Sequence, residues 1–203
     1  MSLYGLIIGI TISICFFIFS KKNNIIPKDL ENFFVYGTII FAIIGARAYH
    51  IIDQWAYYSQ HLWQIPNTRA GGLGIFGGII GGFIFILIFS LIKKINLLKI
   101  LDSITLVLPL GQGIGRFGNY INHENPIWWH ESILDFLLFI FISKYSKNST
   151  AKYLIGYGLI RFFTEFLRTD TWVINNLKIG QLLSIIFIII GLFTHYFENK
   201  HKV

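Results

Sequence analysis

The chain is poor in cysteine and in charge. A single Cys, Cys15, in 203 residues excludes a disulfide framework and a cysteine-based zinc cluster. Charged residues make up 13%, where a soluble domain carries roughly 25%. With 54% hydrophobic residues and a mean hydropathy of +0.62, the chain fits neither an ordinary soluble domain nor a disordered one. Acids are scarcer than bases, 10 Asp+Glu against 17 Lys+Arg, for a formal charge of +7. In a soluble protein that excess would point to nucleic acid. In a chain this apolar, what matters is where each charge lies relative to a bilayer, and no nucleic-acid partner is expected. There is no H-E-x-x-H and no convincing metal-ligand spacing, so no metal and no cofactor are expected. The first apolar run has no basic segment before it and no small-x-small cleavage site after it. It reads as a retained span, not a removed signal peptide.

A spanning helix needs about 20 mostly apolar residues. Seven segments qualify, at about 3–20, 33–52, 73–92, 101–119, 127–143, 152–168 and 179–197. Pro109 and three Gly interrupt the fourth. The expected fold is an all-α polytopic membrane protein with seven transmembrane helices, a single domain over residues 1–203. Lysines set the orientation. Lys21, Lys22 and Lys28 follow the first span, Lys93, Lys94 and Lys99 the third. Lys144, Lys147 and Lys152 follow the fifth, and Lys200 and Lys202 the seventh; Lys178 alone falls on the other side. The positive-inside rule then puts the N-terminus outside and the C-terminus in the cytoplasm. Trp55, Trp63, Trp128, Trp129 and Trp172 fall on outer loops or span ends, as an aromatic belt would. The longest outer connection, about residues 53–72, leaves no room for a further domain.

The five arginines follow a different pattern. None of Arg47, Arg69, Arg116, Arg161 and Arg168 lies in a cytoplasmic loop, and Arg116 and Arg161 fall inside apolar segments. A charge there usually faces a polar cavity or a partner; near a span end it can also snorkel to the headgroups. Tyr157, Arg161, Glu165 and Arg168 form one helical stripe, in which Arg161 and Glu165 can pair. A guanidinium fork suits bidentate phosphate binding, so two intramembrane arginines toward the outer face point to an anionic lipid headgroup. Gly111, Gly115, Gly118, Asn119 and Asn122 share a face of the fourth span, and Arg116, Asn119, Asn122, His123 and Glu124 gather polar groups at its outer end. The glycine run at 71–82 suits close helix packing. No strand precedes it, so a nucleotide-binding loop is excluded. Glu131 and Asp135, four apart, share a face with His130 nearby; they can perturb one another or hold neighbouring helices. Asp102 is expected to cap the N-terminus of its own helix, and Cys15 to be a small core residue. A transporter with a central Arg–Glu site would be expected to show an inverted repeat, and none is found between the halves.

The order of these motifs resembles the prolipoprotein diacylglyceryl transferase family through nearly the whole chain. The most specific piece is G-R-x-G-N-x-x-N-x-E, here Gly115, Arg116, Gly118, Asn119, Asn122 and Glu124. Tyr4-Gly5-Leu6, Gly45-Ala46-Arg47, the G-G-L-x-x-x-G-G segment at 71–78, Y-G-x-x-R-x-x-x-E-x-x-R from Tyr157 and G-Q-x-L-S-I at 180–185 complete it. The resemblance implies a bacterial cytoplasmic-membrane enzyme that moves the diacylglyceryl group of phosphatidylglycerol onto the thiol of a lipobox cysteine in the signal peptide of a prolipoprotein. A thioether forms and glycerol phosphate leaves. The substrate brings the nucleophile, so the enzyme needs no Ser or Cys of its own. By resemblance, Arg116 and Arg161 contact the headgroup and stabilise the departing phosphate. Asn119, Asn122 and Glu124 shape the polar site, Arg47, Gly77 and Gly78 bind substrate, and Tyr4, Tyr157 and Glu165 orient substrate and arginines. Three departures stand out. The family's His before the second Gly pair of the third span, its favoured proton acceptor, is Phe76 here. Its H-P-x-x-L-Y-E-S motif reads Asn125-Pro126-Ile127-Trp128-Trp129-His130-Glu131-Ser132. The extracytoplasmic segment between that motif and the Arg-Asn motif is essentially absent. Any base role is expected to pass to Glu124, His123 or His130, or to be replaced by arginines that lower the thiol pKa. The runner-up expectation is a non-catalytic descendant that binds anionic lipid or a signal peptide.

Overall fold

The structure is a computed structural model that describes residues 3–68, 71–123, 125–168, 171, 173–175 and 177–200. Its long elements are helices: α1 Leu3–Lys22, α2 Lys28–Asp53, the short α3 Trp55–Tyr58, α4 Ile75–Lys93, α5 Leu97–Thr105, α6 Leu108–Ile121, α7 Trp128–Lys144, α8 Ser149–Leu167 and α9 Ile179–Lys200. A 3-10 turn covers Leu62–Gln64, and a two-residue antiparallel ladder pairs Val173 with Lys178 and Ile174 with Leu177. Each of the seven expected segments is therefore helical or, for the fourth, a helix pair.

Four helices, α1, α2, α4 and α9, are long and apolar enough to cross a membrane; the bent pair α5–α6 makes five if it is one span. The other two miss for readable reasons. Helix α7 has 17 residues and reaches about 26 Å at 1.5 Å per residue, short of a hydrocarbon core of roughly 30 Å. Helix α8 carries Lys152, Arg161 and Glu165 within 19 residues. The fourth expected segment is not one helix: α5 and α6 meet at 43°. Pro109, in the first turn of α6, lacks an N–H and its ring excludes the carbonyl four residues back.

The chain divides into two compact units, residues 24–100 and residues 1–23 with 101–203. In the first, α2 packs on α4 through glycines. A Cβ on Gly77 would meet the Gly45 carbonyl, and one on Gly81 the Phe41 carbonyl. The two backbones thus touch, as small-residue interfaces in membranes allow. The glycines of α4 pack against α2, the close helix packing expected of the run.

In the second unit, α1 packs on α6, α6 on α7, α7 on α8 and α8 on α9. Ser132 Oγ donates to the Gly113 carbonyl across α6–α7 at 2.8 Å. The expectation for Asp102 is corrected. It lies within α5, and its carboxylate accepts from Thr150 N at 2.7 Å and Thr150 Oγ1 at 2.8 Å. It caps α8, whose first-turn N–H groups and positive dipole end favour a carboxylate. Cys15 is partly buried against α6, its Sγ 3.8 Å from the Val107 carbonyl. The surface is apolar, with Phe17, Ile52 and Ile92 well exposed, while Glu131, Asp135 and Glu165 are among the most buried side chains. That inverts the usual soluble arrangement.

Candidate active site

Three helices of the second unit bring three arginines and three carboxylates together. Helix α6 carries Arg116. Helix α7 carries Glu131 and Asp135, one turn apart on one face. Helix α8 carries Arg161 and Glu165, and Arg168 ends it.

Glu131 is the hub. Its Oε1 lies 3.3 Å from Arg161 Nη1 and 3.4 Å from Arg168 Nη1. Its Oε2 lies 3.1 Å from Arg116 Nη1 and accepts from Asn125 Nδ2 at 2.6 Å. A carboxylate offers about four lone-pair sites, and all four directions here face a donor. Only 1% of Glu131 is exposed. Its attraction to the guanidiniums is therefore little screened, and loss of the carboxylate would leave three converging guanidiniums without their shared anion.

Glu165 reinforces one arm: Arg161 Nη2 lies 2.8 Å from its Oε2, the i, i+4 pair read from the sequence. Lys178 is not a further headgroup cation. Its Nζ donates to the carbonyls of Glu165 at 2.7 Å and Arg168 at 3.2 Å, where α8 leaves carbonyls without helical partners. Gly180 lets that connection pass over Glu165, since a Cβ there would strike the carboxylate.

Asn125 is a local device. Its φ of +52° is left-handed, a region in which Asn is enriched. Its Oδ1 accepts from Ile127 N at 3.3 Å while its Nδ2 holds Glu131. The residue standing at the family's His position thus turns the chain into α7 and orients the hub.

The other expected site residues are placed as follows. Tyr157 lies one turn before Arg161 on α8, its ring stacked on Tyr153 at 5.6 Å between centroids. Asn119 is half-buried on α6, Asn122 ends that helix, and His123 is exposed with a φ of +55°. His130 stacks on Trp129 at 3.5 Å, and its buried Nδ1 has no hydrogen-bond partner among the described residues. Glu124, Arg69, Trp172 and the side chain of Tyr4 lie outside the described part of the structure.

Arg47, Gly77 and Gly78 belong to the other unit. Arg47 is 7% exposed and donates to four backbone carbonyls: Gln64 at 2.7 Å, Ile65 at 2.8 Å, Gly71 at 3.0 Å and Gly72 at 3.1 Å. It also lies 5.1 Å from the Tyr58 ring centroid, a cation–π distance. Gly71 and Gly72, with φ of +88° and +74°, turn the loop back toward it. The guanidinium clamps a loop. Phe76 packs against Tyr49, with ring centroids 6.2 Å apart.

The family model described as "Prolipoprotein diacylglyceryl transferase" matches residues 1–129 and 125–197. The chain belongs to this family. Curated relatives called phosphatidylglycerol–prolipoprotein diacylglyceryl transferase include one from Finegoldia magna, 36% identical over 92% of this chain and 84% of the relative. Another, from Clostridioides difficile, is 36% identical over 98% and 89%. A third, from Staphylococcus haemolyticus, is 35% identical over 93% and 81%. Among the family motifs of this chain, Arg116, Asn125, Glu131, Arg161, Glu165 and Arg168 stand in the cluster. Glu131, which joins them, was not singled out as a site residue from sequence. The available signals are its i, i+4 spacing to Asp135 and its place in the Asn125–Ser132 motif, with nothing local to say that arginines from two other helices meet it.

Proposed function

We propose that this protein is a phosphatidylglycerol–prolipoprotein diacylglyceryl transferase. Membership of the family and the names of relatives matched over more than nine-tenths of the chain support the activity. The observation that carries the site is the convergence of Arg116, Arg161 and Arg168 on buried Glu131. Three guanidiniums held at one point, inside an otherwise apolar bundle, form an anion site of the kind a phosphodiester needs.

In this reading the lipobox thiol sulfur attacks the diacylglyceryl carbon that carries the phosphate. The S–C bond forms, the C–O bond breaks, and glycerol 1-phosphate departs with the electron pair. Arg116 and Arg161 stabilise the charge that grows on the leaving phosphate. Glu165 and Glu131 hold them in place, and Tyr157, Asn119, Asn122 and Tyr4 line the lipid's approach. Gly77 and Gly78 seat α4 on α2, and Arg47 holds the outer loop of its own unit. The thiol proton passes to Glu124, His123 or His130 and leaves on the glycerol phosphate. No cofactor is required by this chemistry.

All seven helical segments cross the bacterial cytoplasmic membrane in this proposal, as one transmembrane domain with the N-terminus outside. Lysines in the last turns of α1, α4, α7 and α9 support that orientation. Short α7 and charged α8 are then accommodated because their polar groups face one another and not lipid. The partners are phosphatidylglycerol and the lipobox signal peptide.

Phe76 favours a second reading, a non-catalytic relative that binds anionic lipid or a signal peptide. Expression in cells depleted of their own transferase separates the two. A prolipoprotein that gains the diacylglyceryl mass, and fails to with Arg116→Ala, supports catalysis. Folded, membrane-inserted protein with no mass gain supports the binding reading.

A further inference from the structure

Asp135 differs from Glu131 in one respect: no described residue donates to it. The residue is 0% exposed, and neither Oδ1 nor Oδ2 has a hydrogen-bond partner among the described residues. Arg116 Nε lies 3.9 Å from Oδ2, too far for a hydrogen bond, and that Nε has no acceptor either. One turn earlier on α6, Gln112 gives its Nε2 to the Tyr153 hydroxyl at 2.8 Å, while its Oε1 is likewise without a partner. Buried polar atoms are rarely left in this state, and each calls for an explanation. Here unpartnered acceptors outnumber donors among the described residues, so a group that suits them brings O–H or N–H.

One hydroxyl placed beside this pair, 3.9 Å apart, can bridge the two atoms. A hydroxyl oxygen about 2.7 Å from Oδ2 and about 2.9 Å from Nε has ordinary hydrogen-bond lengths to both. It donates to the carboxylate and accepts from the guanidinium. A further phosphate oxygen could only accept. An ammonium would donate, but it would stand against Arg116. We propose that Asp135, assisted by Gln112, recognises the glycerol diol of the phosphatidylglycerol headgroup and so selects this lipid over anionic lipids whose headgroups lack hydroxyls. The inference rests on reading the arginine cluster as the phosphate site: Arg116 takes the phosphate through its Nη groups and the diol reaches the Nε side.

The test compares kcat/KM for phosphatidylglycerol and for phosphatidylpropanol, which has the same phosphodiester and no headgroup hydroxyl, with purified protein and a lipobox peptide. Wild type is expected to prefer phosphatidylglycerol at least about tenfold, since a charge-assisted hydrogen bond is worth that much. Asp135→Asn is expected to reduce the ratio to within about threefold of unity, and Gln112→Leu to reduce it less. A wild-type ratio near one overturns the proposal, as does an equal fall on both lipids in Asp135→Asn, which would make Asp135 only a brace for Arg116. If Asp135→Asn does not fold, Gln112→Leu decides, and an unchanged ratio overturns the proposal. Absence of any product from phosphatidylglycerol with wild type would instead refute the transferase reading, a distinguishable result.

Discussion

Replacing Glu131 by Gln keeps the shape of the hub and removes its charge. In the native protein its two oxygens face Asn125 at 2.6 Å, Arg116 at 3.1 Å, Arg161 at 3.3 Å and Arg168 at 3.4 Å. An amide has one oxygen where the carboxylate has two, and its NH2 would point at a guanidinium or at Asn125. Three arginines would then converge without their central anion. Removing one partner of a buried ion pair costs about 3–5 kcal/mol. Glu165 still holds Arg161, so the lower end applies, about 3 kcal/mol. For a protein of this size each 1 kcal/mol shifts Tm by roughly 2–4 °C, so Tm should fall by roughly 6–12 °C. The assay is thermal unfolding of detergent-solubilised wild type, Glu131→Gln and Glu131→Asp, with transferase activity measured in parallel at a temperature where all are folded. Glu131→Asp keeps the charge on a shorter stem and should lie between the other two. A Tm for Glu131→Gln within about 2 °C of wild type, about 1 kcal/mol or less, together with full activity, would refute the claim that this carboxylate organises the arginines.

Other substitutions probe the scaffold. Gly81→Leu places a Cβ against the Phe41 carbonyl; overpacking costs about 1–3 kcal/mol, and thermal unfolding should show a lower Tm than for Gly82→Ala, whose Cβ meets only ordinary contacts. Asp102→Ala removes two hydrogen bonds at the start of α8; a lost cap costs about 0.5–2 kcal/mol, and hydrogen exchange at residues 149–151 should rise. Arg47→Lys cannot serve four carbonyls with one ammonium, so limited proteolysis between residues 60 and 73 should become faster in detergent while the rest of the chain stays resistant.

Helices were legible because apolar length and glycine spacing are local properties. Pro109 marked the weak point of the fourth segment, and the structure breaks there. The Arg161–Glu165 pair was legible because i, i+4 partners sit on one helix. Glu131 was harder. Its donors come from residues 116, 125, 161 and 168, on other elements, and no periodicity links them. Asp102 shows the same limit, since a carboxylate near a helix start reads as a cap but its partner, Thr150, is 48 residues away. Arg47 lies near a span end, and sequence alone does not show what its guanidinium meets. Only the folded loop reveals that four carbonyls already meet it.

The central claim is that the arginine cluster holds the phosphate of a phospholipid whose diacylglyceryl group goes to a thiol. Its most direct test reconstitutes the purified protein in vesicles containing phosphatidylglycerol, adds a lipobox peptide, and measures released glycerol phosphate and lipidated peptide in the same sample. The account predicts equal amounts of the two, and a fall of about 100- to 1,000-fold in rate with Arg116→Ala, the loss typical of a charge-stabilising donor. Peptide lipidation that proceeds at the wild-type rate in Arg116→Ala, or lipid consumed with no glycerol phosphate released, would contradict it.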